Sequence, residues 1–133
     1  LVVLNDKARL LLERHWPGAL TIVLRKDNVL PDIVTGGKGT VALRVPDHEV
    51  PRAIARELGS PITGTSANRS GKSGMMTAVE VRGEFDDKEL DLVIDDVKTK
   101  EGVASTLLDL SKKDPRILRQ GSITKEEIEE DDK

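Results

Sequence analysis

"TVALRVPDHEVPRAIARELGSPITGTSANRSGKSG", residues 40–74, runs from a strand through a helix into a loop of small donors. "TVALRVP", 40–46, alternates and ends at Pro46, the pattern of a strand. "DHEVPRAIARELG", 47–59, predicts a helix with Asp47 as its cap and Gly59 as its stop. Pro51 falls in the first turn, where its missing N–H costs nothing. "PITGTS" predicts a short strand feeding the loop. Strand, helix and strand in succession predict one mixed α and β domain.

The loop itself, "PITGTSANRSGKSG" at 61–74, holds five hydroxyls, three glycines, an arginine and a lysine. Ser66, Asn68 and Ser70 offer side-chain donors, and Gly64 and Gly71 let a ligand approach the backbone. Backbone N–H groups in such a turn form an anion nest. Arg69 and Lys72 add positive charge. The spacing is neither a Walker A motif nor a GxGxxG fingerprint. The same composition also makes a plain surface loop, so a phosphate cradle and a flexible connection both stand at this point.

Outward from this centre, Leu4, Ala8, Leu11 and Leu12 recur at helical spacing over 4–15, with Asn5 or Asp6 as cap and "WPG" at 16–18 as the stop. "LTIVLRK" at 20–26 is β-branched and predicts a strand. "GGKG" at 36–39 is a turn, and 77–82 predicts a helix capped by Thr77. "LDLVIDD" at 90–96, "STLLDL" at 105–110 and "RILRQ" at 116–120 predict three more strands. Arg44 alternates with Val41, Leu43 and Val45, so a guanidinium shares a strand face with Thr40 and Ala42. Its planar fork suits a carboxylate or a phosphate, and a solvated strand edge is the ordinary alternative. Ser105, Thr106 and Arg119 are further polar residues at strand ends.

Bulk properties narrow the function. The chain has 133 residues with 37% hydrophobic and 34% charged, as expected of a soluble globular domain. No apolar run is long enough to span a membrane, and no secretory leader is visible. Cysteine is absent, which removes disulfides, thiolate metal sites and a cysteine nucleophile and is consistent with a reducing cytoplasm. The net charge is −3, and "KEEIEEDDK" at 125–133 carries −4 of it, leaving about +1 for residues 1–124. That near-neutral body lacks a strong nucleic-acid footprint, and the tail is expected to be a solvated, frayed end. One tryptophan, one phenylalanine and no tyrosine argue against an aromatic RNA-binding surface. Trp16 is expected to plug the core. His15 and His48 are assigned structural or surface places, and Asp91, Asp95 and Asp96 are charged strand ends that could also hold a cation. No Ser-His-Asp or paired-carboxylate arrangement is legible.

Four stretches in order, "HWPGALTIVL", "TVALRVPDH", "TSANRSG" and "STLLDL…ILRQGSI", resemble the YrdC-like family of threonylcarbamoyl-AMP synthases over about residues 8–123. The family pattern runs roughly WPGPLT, TVAVRVP, SAN-SG, STVVDL and ILRPGAI. The resemblance implies an α/β (α+β) fold, a twisted mixed sheet with flanking helices and a wide groove. It implies a division into residues 1–123, the carboxy-terminal two-thirds of that domain, and an acidic tail at 124–133. It also implies a nucleotidyltransferase reaction. L-threonine and bicarbonate form a carbamate, which attacks the α-phosphate of ATP and displaces pyrophosphate. The product, threonylcarbamoyl-AMP, feeds the tRNA-modification machinery. No protein nucleophile is needed, so no residue is assigned a catalytic role, and Mg2+ rides on the ATP phosphates rather than on a protein metal site. By position, Thr40, Ser66, Asn68 and Arg119 match ATP contacts, and Arg44 and Ser105 match L-threonine contacts.

Departures from the pattern modify these expectations. The chain starts at Leu1, and the family's amino-terminal third, with a PTDT-YGL-like strand and a Lys-x-Arg segment, has no counterpart in it. A chain incomplete at its amino end is expected to bind ATP poorly, to be inactive alone, and to self-associate through an uncovered apolar face. The usual Pro-Ser after SAN-SG reads Ser73-Gly74, losing or shifting one hydroxyl. "WPGALT" and "ILRQGSI" each lack one proline of the pattern. The alternatives to the synthase are a non-catalytic RNA-binding relative and a domain that handles carbamoyl adenylate. Arg44 favours an amino-acid substrate over carbamoyl phosphate.

Overall fold

Alternation along one strand decides which way the sheet faces. In β1 (Leu20–Arg25), Leu20, Ile22 and Leu24 are buried, Thr21 and Val23 half-buried, and Arg25 exposed. Period-two burial of this kind puts every second side chain into one core. The computed structural model describes residues 2–72, 74–75, 77–86, 88–95 and 103–130. They fall into two compact units, Leu1–Ile62 with Val103–Lys133, and Thr63–Gly102.

The first unit holds a four-stranded mixed sheet. Around β1 stand β2 (Thr40–Leu43), β3 (Thr106–Asp109) and β4 (Arg116–Arg119), in the order β2-β1-β3-β4. β1 runs antiparallel to β2, with Ile22 opposite Leu43, and parallel to β3, with Ile22 opposite Leu108. β3 and β4 are antiparallel, with a register shift that sets Ile117 opposite Leu108 but Arg119 opposite Leu107. Leu20, Ile22, Leu24, Leu108 and Leu110 form the buried cluster on one face.

Two helices supply the rest of that cluster. α1 (Asp6–His15) contributes Ala8 and Leu11. Its cap Asn5 accepts from the Ala8 N–H at 2.7 Å, and the Asn5 amide donates to the Leu110 carbonyl, tying the helix start to the end of β3. The helix stops at Trp16, followed by a cis peptide to Pro17. The Trp16 indole N–H donates to the Leu20 carbonyl at 2.7 Å, and the ring packs half-buried against the core, as its expected role required. Gly18 is obligatory here, since a Cβ would lie 2.3 Å from the His15 carbonyl oxygen.

The charged tail differs from its expected solvated form. Residues Lys125–Glu130 form a helix, and Ile128 is 4% exposed within the core. Thr124 and Glu127 cap it reciprocally, through Thr124 Oγ1 accepting from the Glu127 N–H and the Glu127 carboxylate from the Thr124 N–H. One apolar side chain on the inward face outweighs the like-charge run, because the four glutamates of the helix are exposed.

Other expectations shift by smaller amounts. A one-turn helix, α2 (Asp32–Thr35), precedes a left-handed Gly36 and was not legible in the sequence. α3 (Glu49–Leu58) is capped by the His48 ring rather than by Asp47, its Nδ1 accepting from Val50, and it stops at left-handed Gly59. β2 ends at Leu43, so Arg44 lies just past it. In the second unit α4 (Ala78–Glu84) has the expected Thr77 cap, closed into a capping box with Glu80. The expected strands at 61–65 and 90–95 are irregular chain. Asp96 and Ser73 lie outside the described residues. With the tail helix the fifth, α5, the observed fold is the expected mixed sheet with flanking helices.

One buried hydroxyl locks β3 to the chain beyond β4. Thr106 is fully buried; its Oγ1 donates to the Ile123 carbonyl at 2.6 Å and accepts from the N–H groups of Gly121 and Ile123 at 3.0 and 3.2 Å. Gly121 passes so close that a Cβ would sit 2.2 Å from the Ala104 carbonyl and 2.3 Å from the Thr106 nitrogen. Thr106→Val keeps the shape but strands those N–H groups, and should cost about 2–3 kcal/mol, measured by urea unfolding. Thr106→Ser should recover most of it. A loss below about 0.5 kcal/mol for the valine variant would contradict the role given to the hydroxyl. Gly121→Ala should cost about 3 kcal/mol, because its clash is with backbone that has nowhere to move.

Candidate ligand-binding site

The sheet face opposite the core is polar. Arg25 stands opposite Thr40 and Val23 opposite Ala42, and residues paired this way project to the same side. Arg44 follows directly on Leu43, the partner of Ile22, and Thr21 directly precedes Ile22. Thr21 stands opposite Leu107, and Leu107 opposite Arg119. Ser105 precedes Leu107 by two residues and shares its side. Arg44, Ser105 and Arg119, widely spaced in sequence, therefore lie toward one end of the sheet, whereas Thr40, opposite Arg25, lies at the other.

Their contacts are specific. Arg44 is exposed, and its Nε donates to the Gly18 carbonyl at 2.8 Å. The Gly18 N–H in turn donates to the Val45 carbonyl, so the "WPG" turn aims the guanidinium. Arg119 brackets the Ser105 carbonyl with Nε at 3.2 Å and Nη2 at 3.0 Å, and Nη2 also lies 3.2 Å from Ser105 Oγ. Ser105, 5% exposed, shares a 2.7 Å hydrogen bond with the Thr21 hydroxyl. Thr21 was not among the residues predicted from sequence. The signal that could have found it is a hydroxyl at the outward phase of "LTIVLR". Asp109 sits at the far end of the same face. Partial burial pushes its carboxyl up, but the hydroxyl and N–H of Ser111 with the charges of Lys112 and Arg116 outweigh that and hold it below its ordinary value. Thr40 is half-buried at the start of β2.

Ser66 and Asn68 lie in the second unit, in a loop built around the asparagine. The Asn68 amide donates to the carbonyls of Arg69 and Lys72 at 3.1 and 2.9 Å, and its N–H to the Ser66 carbonyl at 3.0 Å. Gly71 closes this bracket at φ +84°, a backbone that side chains rarely adopt. Asn68 Oδ1 is buried and has no hydrogen-bond partner among the described residues.

The loop's cations differ from their expected role. Arg69 Nη2 donates to the Glu84 carbonyl and to Glu89 Oε2 at 2.8 Å, and its guanidinium lies 5.1 Å from the Phe85 ring centre. Lys72 Nζ is 2.6 Å from Glu84 Oε1. Both positive charges are thus matched within the unit rather than left for a phosphate. The hydrogen bond and charge of Glu89 raise the Arg69 pKa, against slight desolvation. The Asp86 N–H and Arg69 hold the Glu89 carboxyl below its ordinary range.

The other candidates hold no ligand geometry. His48 serves as a helix cap, and His15 is half-buried at the end of α1. Among the described residues no three His, Cys, Asp or Glu side chains come together as a metal cage. A hollow of about 400 Å3 in the second unit, lined by Arg82, Phe85, Leu90, Asp91, Leu92 and Val93, includes the cation candidate Asp91 but none of the residues matched to ATP or L-threonine contacts.

The Sua5/YciO/YrdC family, described as "Telomere recombination", matches residues 1–121. The chain belongs to this family. Threonylcarbamoyl-AMP synthases of Pyrococcus abyssi and Bacillus subtilis are 42% and 44% identical to this family member, over 93% of its length and 36% of theirs. The crystal structure of P. abyssi Sua5 complexed with L-threonine superposes with a TM-score of 0.90 at 40% identity, over 97% of this chain and 38% of that one. Escherichia coli YciO, at 22% identity and a TM-score of 0.70 over 91% of this chain and 59% of that one, shares the fold. The chain spans little more than a third of the length of the two curated synthases.

A pH titration tests the loop. A depressed carboxyl contributes stability that is complete above the unfolded glutamate value of about 4.3 and is lost as pH falls through its lower folded value. Backbone amide signals of Asn68–Lys72 should hold from pH 7 to 5 and shift below about pH 4. Glu89→Gln should remove that acid transition; an unaltered transition in the variant would mean another group causes it.

Proposed function

We propose that this chain is part of a threonylcarbamoyl-AMP synthase, converting L-threonine, bicarbonate and ATP to threonylcarbamoyl-AMP, pyrophosphate and water for tRNA modification. The observation that carries the proposal is the placement of Arg44, Ser105 and Arg119 toward one end of the polar sheet face, with Thr40 further along it. Relatives that are threonylcarbamoyl-AMP synthases support the same reading.

Arg44 is proposed to hold the threonine carboxylate with the part of its fork that Gly18 leaves free, and Ser105 to contact the same substrate. Thr40 and Arg119 are proposed as ATP contacts. Ser66 and Asn68 are carried over from the family resemblance as further ATP contacts; the loop's cations, Arg69 and Lys72, already answer glutamates. The described side chains offer no metal cage, so Mg2+ is assigned to the nucleotide as part of the MgATP substrate. Threonine's amine condenses with bicarbonate to the carbamate with release of one water, and holding that carbamate in line with the α-phosphate turns an encounter of three molecules into one bound geometry. A guanidinium near the phosphates stabilises charge as pyrophosphate departs.

Among the described residues no helix is long and apolar enough to cross a membrane, and a cytoplasmic setting beside the tRNA-modification machinery is part of the proposal. Residues 1–123 are proposed as the family domain, with the tail helix closing its core through Ile128. Weak RNA contact and self-association belong to the same expectation.

Calorimetric titration of ATP, with and without L-threonine and bicarbonate, tests the assignment. Threonine should bind in the presence of ATP, Arg44→Ala should weaken it about tenfold or more, and Ser66→Ala should weaken ATP by less. Absence of both ligands from the chain, and from a chain extended at its amino end by the segment the family carries there, would refute the proposal. Threonine affinity unchanged by Arg44→Ala would instead favour a carbamoyl-adenylate substrate.

A further inference from the structure

Proton counting across the open face yields one more substrate contact. Arg119 Nη2 donates to Ser105 Oγ at 3.2 Å, and Ser105 Oγ and Thr21 Oγ1 lie 2.7 Å apart with a single proton between them. Two hydroxyls bring two protons, and that bond uses one. The other has no acceptor among the described residues. Burial decides which it is. Ser105 is 5% exposed, and a hydroxyl proton stranded there would incur the cost of an unmade hydrogen bond in the interior. Thr21 is only half-buried. The low-energy arrangement therefore runs one way: Arg119 donates to Ser105, Ser105 donates to Thr21, and the Thr21 proton faces outward. A charged donor at the head of the chain polarises both hydroxyls in that direction.

The chain path then says what Thr21 stands beside. The last pair of the β1–β2 ladder is Ile22 with Leu43, and Thr21 and Arg44 are the residues that flank it. Arg44 Nε donates to the Gly18 carbonyl, three residues before Thr21, so a guanidinium with unused N–H groups and a hydroxyl with an unused proton stand at the same end of the sheet. Two convergent donors of this kind suit the two oxygens of one carboxylate. We infer that the Thr21 hydroxyl is a substrate-binding donor, completing with Arg44 a clamp for the amino-acid carboxylate. This rests on the proposed synthase reading and adds a residue to it. The clamp would make a free carboxylate, rather than any hydroxy-amine of similar shape, the feature the face selects.

The test compares Thr21→Val, which keeps the shape and removes the hydroxyl, with Thr21→Ser, which keeps the hydroxyl. L-threonine and L-threoninol, whose carboxylate is reduced to an alcohol, are titrated calorimetrically into the full chain with ATP present. Thr21→Val should weaken L-threonine about tenfold and L-threoninol less than about threefold, with a melting temperature within about 2 °C of the parent. Thr21→Ser should bind L-threonine as the parent does. Equal affinity of parent and valine variant for L-threonine would overturn the inference. So would an equal loss for both ligands, or a serine variant as weak as the valine one, because either points to packing alone. Failure of the synthase reading is seen separately, in a parent protein that binds no L-threonine at all; the inference falls with it.

Discussion

Thr106 makes three hydrogen bonds from one oxygen, and the arrangement of the polar face depends on them. It sits on the core side of β3 with no water to turn to, so its partners must come from the chain itself. The backbone that supplies them is the stretch after β4, and the approach is so tight that a Cβ at position 121 would clash. Once that stretch is fixed, β4 has a fixed end, and Arg119 two residues earlier is held against the carbonyl of Ser105. A demand made inside the core thus sets the position of an arginine on the opposite side of the sheet.

The same logic separates what was legible in the sequence from what was not. β1, β2, β3 and β4 were legible because alternation of Leu20, Ile22 and Leu24, or of Thr106, Leu108 and Leu110, needs no tertiary information. The irregular stretches at 61–65 and 90–95 carry strand-like residues, but no neighbouring strand pairs with them among the described residues, and composition cannot supply a partner. The tail helix was hidden because its charge is visible in composition whereas the single inward residue, Ile128, has meaning only against a core. Three of the six candidate residues, Arg44, Ser105 and Arg119, lie toward one end of the sheet, which their spacing in sequence could not have indicated; the family resemblance alone chose them. Thr21 escaped notice because a lone threonine in a strand is ordinary until its neighbours are known.

The two cations of the glycine-rich loop show how composition misleads about charge. Arg69 and Lys72 beside small residues read as an anion cradle, yet Glu84 and Glu89, distant in sequence, meet them both. Such exposed pairs contribute little stability each. Their effect is to shape the loop and neutralise it, leaving Asn68 and the backbone as its chemistry. Asn68 spends both amide protons on the loop's own carbonyls, so it acts as a bracket more than as a free donor.

The register shift between Leu107 and Leu108 works as a phase changer. Without the extra residue, Leu118 would stand opposite Leu107, and Arg119 would fall in step with Thr106, pointing at the core. One inserted residue lets a strand whose inward phase is apolar at Ile117 still deliver an arginine outward two positions later. The length of the segment from Pro115 to Gly121 is therefore fixed by parity, not by reach. Losing the extra residue there would turn Arg119 toward the core, while a change of two would preserve the phase. Insertions tolerated elsewhere in the surface connections have no equivalent tolerance in this short strand.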